Sequence, residues 1–323
     1  ALTRLSEGDL AAAQANHAKF YCAVAEILED QYLSEEDHDP TGWLEAFATD
    51  WPNIAVGQAW AAKHVDNNEV AADLCMGYSS VCDTLLLQTQ RAQTRVAWAE
   101  ASLAAARRLG LREAEGDAQH AIAQAYKDLG DPNQALDWFH RALSVARELG
   151  SRHNEAATLD AVANTWMDLG DTERAARLHG EALAIAEAID DQDLRYKILT
   201  NLAGVFIRTS DYDEALRLLN TALDLTKSLG RRNEAAGILN SIGEVHRHLD
   251  QDDLALSCYS EALALNREYG DVTGTASVLR NLGILYRYAD DDDRALSCYQ
   301  EELDIRRQLG DRERPRDRYR HGE

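Results

Sequence analysis

Several residue types that mark particular functions are scarce or missing in this sequence. Its 323 residues include only 4 prolines, and no apolar run approaches the ~18 residues that a membrane-spanning helix needs. The five cysteines include no CxxC pair, which disfavours a zinc site or a disulfide framework and favours a reducing, cytoplasmic setting. The motifs GxxxxGK, HExxH and GxSxG are absent as well. We therefore expect no catalytic residues, no metal and no cofactor.

The charge balance narrows the class of partner. The net charge is −23, and nucleic acids are bound chiefly by neutralising phosphates, so direct nucleic-acid binding is not expected. The opening segment ALTRLSEGDL resembles no signal peptide, and no membrane association is expected. Because it does not begin with Met, we expect the chain to be a fragment of a longer protein.

The sequence repeats itself every 40 residues. Apolar residues recur at helical spacing in two segments of each unit, so each unit is predicted to be a pair of helices. One helix pair cannot bury its own apolar face, and stacking of five such units is predicted over residues 111–310. The repeating positions are Ala135, Ala175, Ala215, Ala255 and Ala295; Leu143, Leu183, Leu223, Leu263 and Leu303; and Gly110, Gly150, Gly230, Gly270 and Gly310, with Asp190 in the missing slot.

The four consecutive aspartates 290–293 fall where every unit carries a turn and a helix start. Acidic residues are favoured there by the exposed N–H groups and the dipole of the helix. The run lacks the spacing and the glycine of a calcium-binding loop. We interpret it as helix punctuation.

The units resemble the tetratricopeptide repeat, in which a small residue, an aromatic and an alanine recur at fixed offsets. Gly283, Tyr286, Ala295 and Tyr299 supply that pattern in the fifth unit, although Glu302 replaces the alanine found in its siblings. The 40-residue period is similar to that of kinesin light chains and Pins-type adaptors. The resemblance implies an all-α, right-handed superhelical solenoid of tandem helical hairpins that binds proteins or peptides.

In that family the first helix of each hairpin lines a concave groove, which implies a set of candidate ligand-binding residues here. The set is rich in arginine and asparagine, which suit carboxylates and peptide backbones. Two alternatives stay open: the arginines are solvated or paired with nearby acids, or they bind a protein or peptide ligand, for which their chemistry favours acidic groups. The candidates are Arg280, Asn281, Arg287, Tyr288, Asn240, Arg247, His248, Asn201, Arg208, Asn164 and Lys127.

The remaining segments are less regular. Residues 1–69 are predicted to be irregular and helical, with Pro52 starting a helix; residues 70–110 form a degenerate hairpin; residues 311–323 form a charged tail. The first segment also resembles the helical region that follows the ATPase core of STAND-type signalling regulators, which implies a sensor role. That resemblance rests on His17, Ala18, Phe20, Tyr21, Trp43, Leu44, Asn53, Ala59, Trp60 and Ala61.

Taken together, these patterns predict a non-enzymatic binding scaffold within a larger regulator. Two rival functions remain. One is a sensor of a small-molecule effector. The other is an assembly module that forms homo-oligomers by stacking through its terminal repeats.

Overall fold

The computed structural model describes residues 6–33, 40–88 and 92–308, and every regular element in these ranges is a helix. The N-terminal region contains five helices, of which α3 and α5 pack against each other. A break at Cys82 separates α3 from α4. The bounds are α1 Glu7–Leu33, α2 Pro40–His64, α3 Glu69–Val81, α4 Asp83–Gln88 and α5 Ala92–Leu109.

Ten further helices follow, and their starting residues recur at intervals of 40 within each of the two series. The all-α architecture of tandem hairpins is confirmed. The first helices of the hairpins are α6 Arg112–Asp128, α8 Arg152–Asp168, α10 Gln192–Arg208, α12 Arg232–His248 and α14 Val272–Tyr288. The second helices are α7 Pro132–Leu149, α9 Thr172–Ala188, α11 Tyr212–Ser228, α13 Asp252–Glu268 and α15 Asp292–Gln308. Gly310 and the predicted tail, residues 311–323, lie outside the described residues.

The turns explain why glycine and aspartate recur at fixed positions. Gly150 adopts φ 68° at the end of α7. Asp190, which occupies the equivalent position in the next repeat, adopts φ 56°. Aspartate tolerates this left-handed conformation better than most residues with a side chain. The predicted equivalence of Asp190 with the glycines is therefore confirmed.

The run of four aspartates divides between a turn and a helix start. Asp290 has φ 57°, and Asp291 Oδ1 accepts a hydrogen bond of 3.1 Å from the Arg294 backbone N–H. Asp292 and Asp293 lie in the first turn of α15, where their negative charges interact favourably with the helix dipole. Asp131, Asp171 and Asp211 cap their own helices in the same way. The interpretation as helix punctuation is confirmed.

One prediction for the N-terminal region is wrong. Pro52 does not start a helix but lies inside α2, where proline removes one backbone hydrogen bond and normally costs about 3 kcal/mol. Apolar residues on both sides of it hold the helix in place. Phe47 and Ile54 are fully buried, and Trp51 packs against the same core. Tertiary packing thus overrides the local preference of proline to begin a helix.

The chain divides into two compact units with the boundary between Val205 and Phe206, inside α10. Within the first unit α6 packs on α7 and α8 on α9; within the second, α12 packs on α13 and α14 on α15. Two of the second unit's hairpins share a close contact between glycine and tyrosine. A Cβ placed on Gly243 would lie 2.6 Å from a ring carbon of Tyr259, and Gly283 stands in the same relation to Tyr299.

Candidate ligand-binding faces

The first helices of the fourth and fifth repeats, α12 and α14, lie side by side in the second unit. An amide pair joins them: Asn281 Nδ2 donates a hydrogen bond of 2.9 Å to Asn240 Oδ1. Asn281 is only 9% exposed, so little of its amide is left for a ligand. These two predicted groove residues set the spacing of α12 and α14, and the face that the two helices form is called the α12–α14 face below.

Two arginines and a tyrosine of α14 project from this face. Arg280 and Arg287 are exposed, and neither comes within ion-pair distance of an acid in the described part of the chain. The Arg287 guanidinium carbon lies 5.8 Å from the ring centroid of Tyr288, which is 68% exposed. An unpaired guanidinium beside an exposed aromatic ring can accept both a carboxylate and an apolar side chain.

The other arginines in the described residues differ in their partners; Arg141, for example, forms no ion pair there and lies over the ring of Trp138. Many are paired with acids of the same or a neighbouring helix. Examples are Arg112 with Glu148 at 2.6 Å, Arg147 with Glu155 at 2.9 Å and Arg267 with Glu301 at 2.6 Å. Acids are plentiful in a chain with net charge −23, yet none of those in the described ranges forms an ion pair with Arg280 or Arg287.

Arg247 of α12 adds a third cation, in a more enclosed setting. Its Nη2 donates to Nε2 of His248 at 3.1 Å, while its Nε is buried and has no hydrogen-bond partner among the described residues. The neighbouring Tyr259 hydroxyl is buried and unpartnered too. Burial raises the pKa of Tyr259 to about 12, and the charge of Arg247 opposes that rise. The two groups therefore lie close together.

His248 is held from two further sides. Its ring stacks on Tyr212, with the ring centroids 5.4 Å apart, and its Nε2 lies 3.9 Å from Glu244 Oε1. Arg208 is the remaining predicted ligand-binding residue of the second unit, and it is exposed at the last position of α10.

The predicted groove residues of the first unit are engaged within the protein. Lys127 Nζ lies 3.7 Å from Asp168 Oδ2. Asn201 Nδ2 donates to Asp160 Oδ2 at 2.8 Å, and Asn164 donates to the same oxygen at 3.5 Å. For these three side chains the structure shows partners inside the chain, which matches the alternative of paired rather than ligand-binding residues.

Asp160 is the centre of this network, which sequence reasoning missed. Its Oδ1 is 2.7 Å from Nδ1 of His179, a fully buried residue on α9. His179 occupies the position that Phe139 and Tyr259 fill in sibling repeats. That departure from an apolar pattern is the signal that pointed to a buried polar partner, because an unpaired buried imidazole is unfavourable.

A cavity in the first unit was missed as well. It has a volume of about 210 Å³ and lies between α6, α7 and α8, with Glu113, Asp117, His120 and Asn154 on its polar side. Glu113 and Asp117 form a pair of acids one helical turn apart that recurs in no other repeat. This pair of acids, found in the first repeat alone, was the feature of the sequence that could have indicated the cavity.

The described ranges contain neither a metal-binding cluster nor a membrane-spanning helix. No group of three or more His, Cys, Asp or Glu side chains there is arranged to hold a metal ion. None of the helices described is both long enough and apolar enough to cross a membrane. The five cysteines are free thiols, and Cys258 and Cys298 are only partly buried.

Comparison with known families and structures places these observations in context. Models of the tetratricopeptide repeat match residues 115–188, 198–233 and 234–308, which together exceed half of the chain. A search of curated protein sequences gave no significant match.

Solved structures with the same fold are distant in sequence. BtubC (BKLC) from P. vanneervenii is 22% identical with a TM-score of 0.58, over 72% of this chain and 97% of that one. The apo form of RapI is 14% identical with a TM-score of 0.64, over 91% and 99%. The Rap conjugation gene regulator of plasmid pLS20, solved with the Phr* peptide, is 11% identical with a TM-score of 0.59, over 90% and 96%.

Proposed function

Because the chain belongs to the tetratricopeptide repeat family, we propose that it is a non-catalytic scaffold that binds an acidic protein or peptide partner on the α12–α14 face. The observation that carries the proposal is the exposure of Arg280 and Arg287, without acidic partners among the described residues, in a strongly acidic protein. The solved relative that contains the Phr* peptide supports the class of ligand.

The chemistry of the face suits a short acidic segment with an apolar residue. A guanidinium presents a planar fork that binds a carboxylate through two hydrogen bonds, and Arg280 and Arg287 are seven residues apart on one side of α14. Tyr288 offers an exposed ring to the apolar residue. The amide pair between Asn281 and Asn240 fixes the two helices beforehand, so binding orders few side chains and loses little conformational entropy.

Charge reversal tests this proposal. Fluorescein-labelled dodecapeptides of the same length, one rich in Glu and Leu and one with Gln in place of Glu, are titrated by fluorescence anisotropy. We expect the acidic peptide to bind the wild type, and the double variant Arg280→Glu/Arg287→Glu to weaken binding at least about tenfold, since two charge-assisted contacts are lost. Binding should also weaken as salt rises.

A matched control separates a site from general attraction. Arg217→Glu/Arg267→Glu makes the same change in net charge on α11 and α13, where both arginines are exposed and paired with acids. This control should bind the acidic peptide as the wild type does. Equal losses in both double variants, or equal binding of the Gln peptide, would show that the α12–α14 face is not a specific site.

A finer proposal concerns the protein to which this chain contributes. We infer that it is the sensor part of a STAND-type signalling ATPase, on the strength of the sequence pattern of its first 61 residues. Most of that pattern serves packing: Ala18 and Ala61 are fully buried and Trp43 packs against the core, whereas Phe20 is 62% exposed. The parent gene should encode a GxxxxGK motif, and the acidic ligand should alter the parent's ATP hydrolysis; a parent without that motif would refute this proposal.

A further inference from the structure

The first unit contains a cavity lined by residues of α6, α7 and α8. The floor of the cavity is apolar and comes from α7, where Val145 and Leu149 are the larger side chains. Its polar side comes from Glu113 and Asp117 on α6 and Asn154 on α8. The volume of about 210 Å³ suits one extended side chain rather than a metabolite with several rings. The space defined by these five residues is called the α6–α8 pocket.

Gly116 lines the pocket at the place where α6 lies close to Val145 of α7. A Cβ on Gly116 would lie 3.0 Å from Cγ1 of Val145, so glycine both allows α6 to approach α7 and leaves the space without a side chain. At the same position the later repeats carry larger residues that are nearly or fully buried: Ala156, Tyr196, Ala236 and Ala276.

The two acids of the pocket form no ion pair within the described part of the chain, although the imidazole of His120 lines the same cavity. Neither Glu113 nor Asp117 lies within ion-pair distance of a basic group in the ranges described. Both acids are exposed at the mouth of the pocket, and partial desolvation raises the pKa of Asp117, with the nearby charge of Glu113 raising it further. Asn154 Nδ2 donates a hydrogen bond of 3.2 Å to Asp117 Oδ1, which fixes the carboxylate at the edge of the pocket. Glu115, on the same helix, is by contrast bound by Arg107 and Arg112.

We propose that the α6–α8 pocket binds a lysine side chain of the protein or peptide partner, with the ammonium group between Glu113 and Asp117 and the methylene groups on Val145 and Leu149. A lysine matches both halves of the pocket, since its stem is apolar and its charge is a compact point at the end. The wider, planar guanidinium of arginine fits a narrow space with two separate carboxylates less well. The inference rests on the proposed function for the class of partner, but it uses a different unit and opposite charges.

The probe for this pocket is N-acetyl-lysine methylamide, followed by ¹H–¹⁵N NMR on the full chain. We expect saturable shifts of the Gly116 amide and of the Asn154 side-chain amide. N-acetyl-norleucine methylamide, which keeps the apolar stem and lacks the ammonium group, should bind at least about tenfold more weakly, equal to about 1.4 kcal/mol. The isosteric double variant Glu113→Gln/Asp117→Asn should weaken lysine binding by a similar factor.

A control variant removes the same amount of charge elsewhere in the unit. Asp137→Asn/Glu173→Gln changes two exposed acids of α7 and α9 that lack ion pairs in the described structure, and it should leave the affinity for the lysine probe unchanged. Unchanged affinity in Glu113→Gln/Asp117→Asn, or equal binding of the norleucine probe, would overturn the proposal. The proposal would also be overturned if 1,5-diaminopentane bound and the capped lysine did not, because the occupant would then be a free amine.

The same experiment separates this inference from the proposed function. Arg280→Glu/Arg287→Glu lies in the second unit and should not change the shifts caused by the lysine probe. If that variant still binds the acidic peptide while the lysine probe behaves as expected, the proposed function of the α12–α14 face fails and the α6–α8 pocket stands. If the arginine variant loses the acidic peptide but the lysine probe does not bind as expected, the α6–α8 pocket proposal fails and the proposed function of the α12–α14 face stands.

Discussion

Two glycines of a single helix allow a strict test of how the hairpins pack. Gly243 and Gly237 both lie in α12. A Cβ on Gly237 meets nothing within 4 Å, whereas a Cβ on Gly243 lies 2.6, 2.8 and 3.1 Å from three ring carbons of Tyr259. We therefore expect Gly237→Ala and Gly243→Ala to change the free energy of unfolding in opposite directions.

The magnitudes follow from two effects. Alanine in place of glycine inside a helix gains up to about 1 kcal/mol at either position, because the unfolded chain loses conformational freedom. At Gly243 the ring of Tyr259 must move by roughly 1 Å to restore ordinary contact, and such overpacking costs about 1–3 kcal/mol. Tyr259 is fully buried, so the ring has no solvent to move into. We expect Gly243→Ala to be less stable than Gly237→Ala by about 1–3 kcal/mol.

The distribution of tryptophan makes the assay specific. All six tryptophans lie between residues 43 and 166, in the first unit, so their fluorescence reports that unit, while circular dichroism at 222 nm reports every helix. Stacked repeats interact mainly with their neighbours. In urea, Gly243→Ala should shift the circular dichroism transition to lower concentration and leave most of the fluorescence transition in place.

A second substitution identifies the cause. Replacing the ring with a shorter side chain, Tyr259→Leu, should reduce the loss caused by Gly243→Ala, which a double-mutant cycle measures. The first repeat carries Ala123 with Phe139 in the corresponding positions, so the steric conflict belongs to the spacing of α12 and α13 and not to the residue types alone. Equal stabilities of Gly237→Ala and Gly243→Ala would refute the reasoning.

Three further predictions test the first unit. Asp160→Ala should destabilise it by about 2–3 kcal/mol, seen in the fluorescence transition, because buried His179 loses its carboxylate partner; an unchanged midpoint would contradict this. Burial raises the pKa of Cys75 to about 12, so iodoacetamide at pH 8 should label it only in urea, and labelling of the native protein would be the contrary result. The raised pKa of Asp117 means that its ionised form destabilises the fold above its unfolded pKa. Asp117→Asn should therefore be more stable than the wild type at pH 8, and the difference should vanish towards pH 3; a constant difference would reject this.

The fold could be predicted from the sequence because its causes are local and repeated five times. An aspartate at a helix start, or a residue able to adopt positive φ at a helix end, acts within a few residues of itself, and Asp190 shows that the position matters more than the residue type. Pro52 shows the limit of such reasoning. Its place inside α2 depends on Phe47 and Ile54 being buried by other helices, and no local pattern contains that information.

The binding faces depend on partners that lie about one repeat away in the sequence. Asn201 and Asn281 looked alike as candidate ligand-binding residues, and each instead bonds to the residue 41 positions earlier, Asp160 and Asn240. Whether a side chain is free therefore depends on a pair of positions, one in each of two adjacent repeats. Sequence reasoning that treats each repeat by itself cannot decide between a ligand-binding amide and one that holds two helices together.

The repeat frame nevertheless gives a rule for where to look. Positions that follow the repeat are explained by packing, so a departure from it calls for a specific cause. His179 departs from an apolar position, and its cause lies inside the protein, in Asp160. The acids Glu113 and Asp117 and the arginine Arg280 also depart from their siblings, and the described residues supply them with no partner of opposite charge. A departure with an internal partner is structural, and a departure without one is where a ligand should be sought.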